Sequence, residues 1–232
     1  MVLLHGLFGQ LSNWEHVIAY YGADYDIHVP ALPIYEESSH TDKLNYLVEY
    51  IHNYIEARDI KDIIILGNSL GGHLAILYTH QYAKNVSRLV LTGSSGLYEN
   101  TSLGGFPRRS THDYIKQRVA NTFYDAAMAT EKMVAEVLDV TTNAAKCMSV
   151  VRIAKSTQRN YVADLLPAIT APTLLMWGEN DNITPVHVAA QFKEMLPNAQ
   201  LVTFKQCGHV PMMEQPVQFN KTLEKFLHLN VN

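Results

Sequence analysis

The chain has 232 residues, of which 47% are hydrophobic and 17% charged, with a formal net charge of -4. This length fits one domain, or one domain carrying an insertion, with enough apolar side chains for a sizeable core. The acidic balance gives no general attraction to phosphate backbones, so nucleic acid is not an expected partner; no apolar run approaches the roughly 20 residues of a membrane-spanning helix.

The chain opens Met-Val-Leu-Leu-His, with neither a basic segment nor a long apolar stretch, so no signal peptide is expected and the location reads as cytoplasmic. Val2–Leu4 is the first strand candidate, and residues 25–29, 62–66, 88–92, 173–177 and 200–204 follow. Several are apolar on consecutive residues, as a strand covered on both faces must be. Between the second and third candidates, Leu44, Leu47, Val48, Ile51 and Ile55 form one helical stripe. Residues 70–82, 185–196 and 216–227 also read as helices, and Pro185 suits a first helical turn, where its missing N–H costs nothing. Strand alternating with helix predicts an α/β fold: a mostly parallel sheet with helices on both faces.

The alternation breaks between about 96 and 167, where residues 114–123, 124–140 and 144–161 are mostly helical in period and no convincing strand occurs. The expected organisation is a core of residues 1–95 and 168–232 with a helical lid over 96–167. The lid would lie over the carboxyl ends of the strands, where open α/β sheets hold their ligands. Gly104-Gly105-Phe106-Pro107 marks its entrance, and Arg108 and Arg109 beside it read as a solvated loop. Tyr98, Phe106, Tyr114, Phe123, Met128 and Met133 could line an apolar pocket, but any helical cover needs an apolar underside. Cys147 and Cys207 lie in no metal-binding spacing and read as free thiols or as one bridge.

The strongest chemical signal is Ile65-Leu66-Gly67-Asn68-Ser69-Leu70-Gly71-Gly72-His73, a G-x-S-x-G motif between an apolar strand and a helix. An abrupt strand-to-helix turn projects the serine hydroxyl, and the helix N-terminus behind it favours developing negative charge. Ser69 is therefore the candidate nucleophile, with an ordinary helix N-cap as the competing assignment.

A hydroxyl needs a base at neutral pH. Of the 11 histidines, His209 in Gln206-Cys207-Gly208-His209-Val210-Pro211 follows the last strand, where a base could reach the sheet's carboxyl edge. His73 is one turn along the serine's helix and reads as structural, and His5 sits in the first loop. The imidazole needs an acid on its other nitrogen. Asp181 in Trp177-Gly178-Glu179-Asn180-Asp181 is the candidate, with Glu179 and Glu99 as rivals. Leu4-His5-Gly6-Leu7-Phe8-Gly9 is a glycine-rich turn after a strand; the backbone N–H groups of Leu7 and Leu70 are the expected oxyanion donors.

Together these pieces resemble the α/β-hydrolase superfamily. His5-Gly6-Leu7-Phe8-Gly9 is similar to its oxyanion loop, Gly67-Asn68-Ser69-Leu70-Gly71-Gly72 to its nucleophile elbow, Trp177-Gly178-Glu179-Asn180-Asp181 to its acid loop, and the stretch from Gly208-His209-Val210-Pro211 to Pro216 to its histidine loop. The order Ser, Asp, His agrees. The resemblance implies a serine hydrolase acting on a small molecule with an apolar acyl part, through a Ser-His-Asp triad and without metal or cofactor. Family members usually carry a β-hairpin before the His-Gly strand; this sequence begins inside that strand, so six strands are expected and residues 25–29 would form an uncovered edge. The Gly-Asn-Ser-Leu-Gly-Gly elbow is similar to that of carbon–carbon hydrolases of ring-cleavage products. Those enzymes usually follow the histidine with tryptophan, where this chain has Val210, and use a lid arginine, for which Arg152 and Arg159 are loose candidates. The expectation is therefore an ester, thioester or lactone hydrolase, with carbon–carbon hydrolysis and a non-catalytic binding protein of the same fold as the alternatives. Oligomeric state is left open by the sequence.

Overall fold

A computed structural model describes residues 1–9, 14–36, 40, 42–98 and 111–228. Among them, β1 (Val2–Leu4), β2 (Ile63–Asn68), β3 (Val86–Thr92), β4 (Thr173–Gly178) and β5 (Ala199–Phe204) form one parallel sheet in the order of the chain. The register aligns Leu3, Leu66, Val90 and Leu174 in one row across four strands. Side chains alternate across the pleat: Val2, Leu4, Ile65 and Leu175 enter one apolar cluster, while Leu3, Leu66, Val90 and Leu174 enter the other. Burying each such side chain stabilises the fold by about 1.5–3 kcal/mol.

The first cluster is covered by α2 (Lys43–Glu56), α3 (Leu70–Gln81) and α7 (Val186–Met195), the second by α1 (Glu15–Tyr21) and α9 (Pro216–Leu227). The expected stripe of α2 is fully inside, with Leu44, Leu47, Val48, Ile51 and Ile55 all buried. The last α-helices before β2, β3 and β5, namely α2, α3 and α7, share one face, as same-handed crossovers require. Pro185 caps α7 in extended conformation (φ -57°, ψ 150°) instead of entering its first turn.

The expected strand over 25–29 is not formed. Only His28 meets the sheet, donating its N–H to the Met1 carbonyl (2.8 Å) and accepting from Leu3 N–H (2.9 Å), as a single parallel bridge to Val2. Pro30 and Pro33 follow, and a proline has no N–H with which to extend a ladder.

Between β3 and β4 lie α4 (His112–Ala120), α5 (Glu131–Thr142) and α6 (Ala144–Arg159). The helix expected over 124–140 starts later. Asp125 caps a short 3-10 turn at Ala126–Met128, and Thr130 then caps α5 by accepting from Met133 N–H (3.3 Å). Tyr114, Phe123, Met128 and Met133 pack into the second apolar cluster, the underside that an applied helical layer needs. Tyr98 stands edge-on to His187; Phe106, the Gly104-to-Pro107 turn, Arg108 and Arg109 lie outside the described residues. Asp42 pins α6 to the core: it caps α2 through Leu44 and Asn45 N–H and accepts from Ser156 Oγ (2.6 Å) and Asn160 Nδ2 (3.2 Å). Both cysteines are free thiols, Cys207 buried and Cys147 half-buried. No helix among the described residues is long and apolar enough to cross a membrane.

Candidate active site at the carboxyl edge of the sheet

Because all five strands are parallel, the loops carrying Leu7, Ser69, Asp181 and His209 leave the same edge of the sheet. Ser69 sits between β2 and α3 with φ 56° and ψ -118°, a backbone conformation costly for any residue with a Cβ. Its surroundings enforce it. Ser69 N–H donates to the Thr92 carbonyl (3.1 Å), and its own carbonyl accepts from His73 N–H and Ser95 N–H (3.2 Å each). A Cβ on Gly71 would lie 2.1 Å from the Leu4 carbonyl oxygen, and one on Gly67 2.3 Å from that of Gly71. The motif's glycines are thus the condition for driving α3 down onto the end of β1. As the first residue of α3, Leu70 has an N–H without an intrahelical acceptor, available to an anion in front of the helix.

On the neighbouring loops His209 Nδ1 lies 2.8 Å from Asp181 Oδ2, with both side chains almost fully buried. An ionised carboxylate only accepts, so Nδ1 carries the proton and the Nε2 lone pair is left for chemistry. Asp181 is itself fixed: Oδ1 accepts from Ile183 N–H (2.8 Å) and Thr184 N–H (2.9 Å), and Oδ2 from Thr184 Oγ1 (2.9 Å). Trp177 Nε1 donates to the Thr184 carbonyl (2.7 Å), tying this turn to the end of β4. The rival Glu179 is exposed and accepts from Thr203 Oγ1 on β5; Glu99 lies outside the described residues.

The serine and histidine loops meet through backbone and Asn68. Asn68 Nδ2 donates to both the Thr92 and His209 carbonyls (3.1 Å each). Gly93, at φ 50°, lets the imidazole approach the chain closely; a Cβ there would stand 2.7 Å from Nδ1. Among the described residues no hydrogen bond joins the Ser69 hydroxyl to the imidazole, an arrangement common where a catalytic pair tightens only around substrate. The glycine turn after β1 closes the other side, with a Cβ on Gly6 falling 3.2 Å from Ser69 Cβ. Tyr35 Oη donates to the Leu7 carbonyl (2.8 Å) and orients that loop.

Two further histidines are buried nearby. His73 has Nε2 2.7 Å from the Asn160 carbonyl, and burial pushes its pKa down to about 4, so it stays neutral in the core. Burial likewise lowers His5, against an opposing bond to the Gly6 carbonyl. Thr184 and Tyr35 carry no motif of their own, and Asn68, although it lies within the serine motif, has no role that its sequence position marks. Among the described residues no group of three His, Cys, Asp or Glu side chains is placed to hold a metal.

A model of the α/β hydrolase fold family matches residues 1–216. The chain is 31% identical over 187 residues to a 2-hydroxy-6-oxononadienedioate/2-hydroxy-6-oxononatrienedioate hydrolase of Cupriavidus pinatubonensis, an alignment covering 75% of this chain and 64% of that protein. The chain thus spans less than two thirds of that relative's length. It is 27% identical over 243 residues to Lipase 1 of Psychrobacter immobilis, covering 92% of this chain and 72% of the lipase. In solved structures, an α/β hydrolase enzyme from the metagenome of lagoon sediments at Mar Chica, Morocco, superposes with a TM-score of 0.80 at 35% identity, covering 97% of this chain and 89% of that one. The chain belongs to the α/β hydrolase fold family.

Proposed function

We propose that the protein is a serine hydrolase that cleaves a small carboxylic ester, thioester or lactone with an apolar acyl part. The observation that carries this reading is the buried 2.8 Å Asp181–His209 pair on the loops beside the strained Ser69 elbow. In the reaction, Ser69 Oγ attacks the carbonyl carbon while His209 Nε2 takes its proton, and Asp181 stabilises the resulting imidazolium. The N–H groups of Leu7 and Leu70 receive the oxyanion; each such donor typically contributes about 3 kcal/mol of transition-state stabilisation. Collapse expels the alcohol or thiol, protonated by His209, and leaves an acyl-serine. Water, deprotonated by the same imidazole, then releases the acid. Residues 96–167 would act as the lid over this edge, shaping the acyl pocket.

A second reading, hydrolysis of a carbon–carbon bond in a vinylogous diketone, is favoured by the likeness to the Cupriavidus relative named as a 2-hydroxy-6-oxononadienedioate/2-hydroxy-6-oxononatrienedioate hydrolase. Such a substrate carries a carboxylate that needs a cation. Arg152 and Arg159 are both exposed on α6, whose buried side is Ser149, Val150, Ile153, Ser156 and Thr157. Val210, following His209, is buried in the second apolar cluster, where those enzymes usually place tryptophan. Both observations support the ester reading. A fluorophosphonate probe should label wild type and not Ser69→Ala; labelling that survives the substitution removes the nucleophile assignment. Graded p-nitrophenyl esters compared with a dienoate ring-cleavage product separate the two reactions, and fast dienoate cleavage with negligible ester turnover would establish the second.

A further inference from the structure

We propose that the Glu214 carboxylate is the positioning group that holds His209 against Asp181. This rests on the catalytic role given above to His209, but its central readout does not require turnover. Glu214 ends α8 (Pro211–Glu214), a single turn whose Met213 and Glu214 N–H groups both return to the Val210 carbonyl (2.8 and 3.0 Å). That turn folds the side chain back under the loop from which it has just emerged. Its oxygens accept from Gly208 N–H (2.9 Å to Oε1, 3.0 Å to Oε2) and from Val210 N–H (3.3 Å), the two residues flanking the histidine. Oε2 also accepts from Tyr124 N–H (2.8 Å), in the turn after α4.

The remaining polar backbone around the histidine is taken by other segments: His209 N–H donates to the Thr122 carbonyl (2.8 Å), and Asn68 holds the His209 carbonyl. A carboxylate suits this position because three backbone donors converge on it, and an acceptor-only group with two oxygens serves them all. A glutamine would turn an NH2 group toward one of those N–H groups, leaving a donor facing a donor. The Cys207 thiol, 3.8 Å from Oε1, is pushed far up in pKa by burial and then by Glu214, and so stays protonated on the carboxylate's remaining side. Glu214 is remote in role from the reacting atoms: it acts through the peptides on either side of the base.

The test is Glu214→Gln, followed by kcat and KM on the preferred ester, thermal melting, and the low-field proton resonance of His209 Nδ1. The expected result is a kcat lowered about ten- to a hundredfold with KM within about twofold, the scale that misplacement by roughly an ångström produces. The resonance should broaden or disappear, reporting a loosened Asp181 contact. A purely structural glutamate would lower the melting temperature while kcat per folded molecule and the resonance stayed as in wild type, and that outcome overturns the proposal. Where Glu214→Gln does not fold, Glu214→Asp keeps the charge, withdraws the oxygens by one methylene, and is judged by the same two readouts. If wild type fails to label at Ser69, the hydrolase mechanism falls, yet the resonance still decides what Glu214 does.

Discussion

The two sides of the candidate active site are held in place by different physics. The serine side is backbone against backbone: β2 turns into α3 with no room for side chains at Gly67 and Gly71, and the strain at Ser69 is sustained by hydrogen bonds to Thr92, His73 and Ser95. The histidine side is a set of polar contacts drawn from distant segments, made by Asp181, Asn68, Thr122 and Glu214. A site held by steric exclusion yields by unfolding, whereas one held by directed hydrogen bonds yields by misalignment. Substitutions on the serine side should therefore cost stability first, and those on the histidine side turnover first.

The largest effect is expected for Gly71→Ala. Its Cβ would sit 2.1 Å from the Leu4 carbonyl oxygen, inside any real contact distance, so α3 or β1 must move. The expected outcome is failure to accumulate as folded protein, or a loss of several kcal/mol by urea denaturation. A Gly71→Ala protein that melts with wild type would remove the steric account of the elbow. Asp181→Asn tests the other side. It keeps the size of the side chain but offers an amide to an imidazole that needs an acceptor, the change that in serine proteases costs about ten-thousandfold in kcat. The expected result is a loss of that order with a melting temperature near wild type. Full activity would move the acid role elsewhere, Glu99 first.

This division explains what could be read beforehand. The elbow is local: the end of a strand, a serine, glycines at fixed offsets and the start of a helix follow one another directly along the chain, and steric exclusion over so short a stretch leaves a signature in residue type. The α2 stripe and the apolar strands were readable for the same reason, through their period. Asp181 and His209 could be placed on loops at the right edge, but Glu179 stayed a rival because only tertiary structure turns it toward Thr203. The supports of His209 left no sign of their role: Asn68 sits within the serine motif and Glu214 within the histidine stretch, but neither residue type announces that it will bond the backbone around His209, and the Thr122 carbonyl is a group every residue has. Residues 25–29 show the reverse failure: the local pattern suggests a strand, but Pro30 and Pro33 end its pairing after one bridge. Thr130 and Asp125 likewise decide where α5 begins by capping, which the apolar period alone does not mark.

A smaller effect on the serine side is tied to pH. His73 is buried in α3 with a pKa near 4 in the folded chain against an ordinary value of 6.5. Between those values the unfolded chain holds a proton that the folded chain does not. This contribution is therefore fully present above pH 6.5 and declines as pH falls toward 4. From pH 7 to pH 5 the decline amounts to about 2 kcal/mol. His5, also lowered by burial, adds in the same direction. In His73→Gln the urea midpoint should vary less with pH over that interval; an unchanged pH dependence would mean that His73 takes up a proton while folded.

Asp42→Ala should give the mildest result and the sharpest separation of the two sides. Asp42 lies behind the serine helix: it caps α2, accepts from Ser156 and Asn160 at the end of α6, and through the Asn160 carbonyl stands one residue away from His73. Burial alone would raise its pKa, but the bonds from Ser156, Asn45, Asn160 and Leu44 outweigh that and hold it below the ordinary range, so the side chain is an anion in use. Removing it strips the cap and leaves two polar side chains without their shared acceptor, a cost of about 1–2 kcal/mol. None of those groups touches Ser69, Asp181 or His209, so kcat at saturating substrate should stay within a few-fold of wild type while the melting temperature drops. If kcat instead fell as far as in Asp181→Asn, the anchor of α6 would be setting the alignment of the reacting groups, and the division between a side that unfolds and a side that misaligns would not hold.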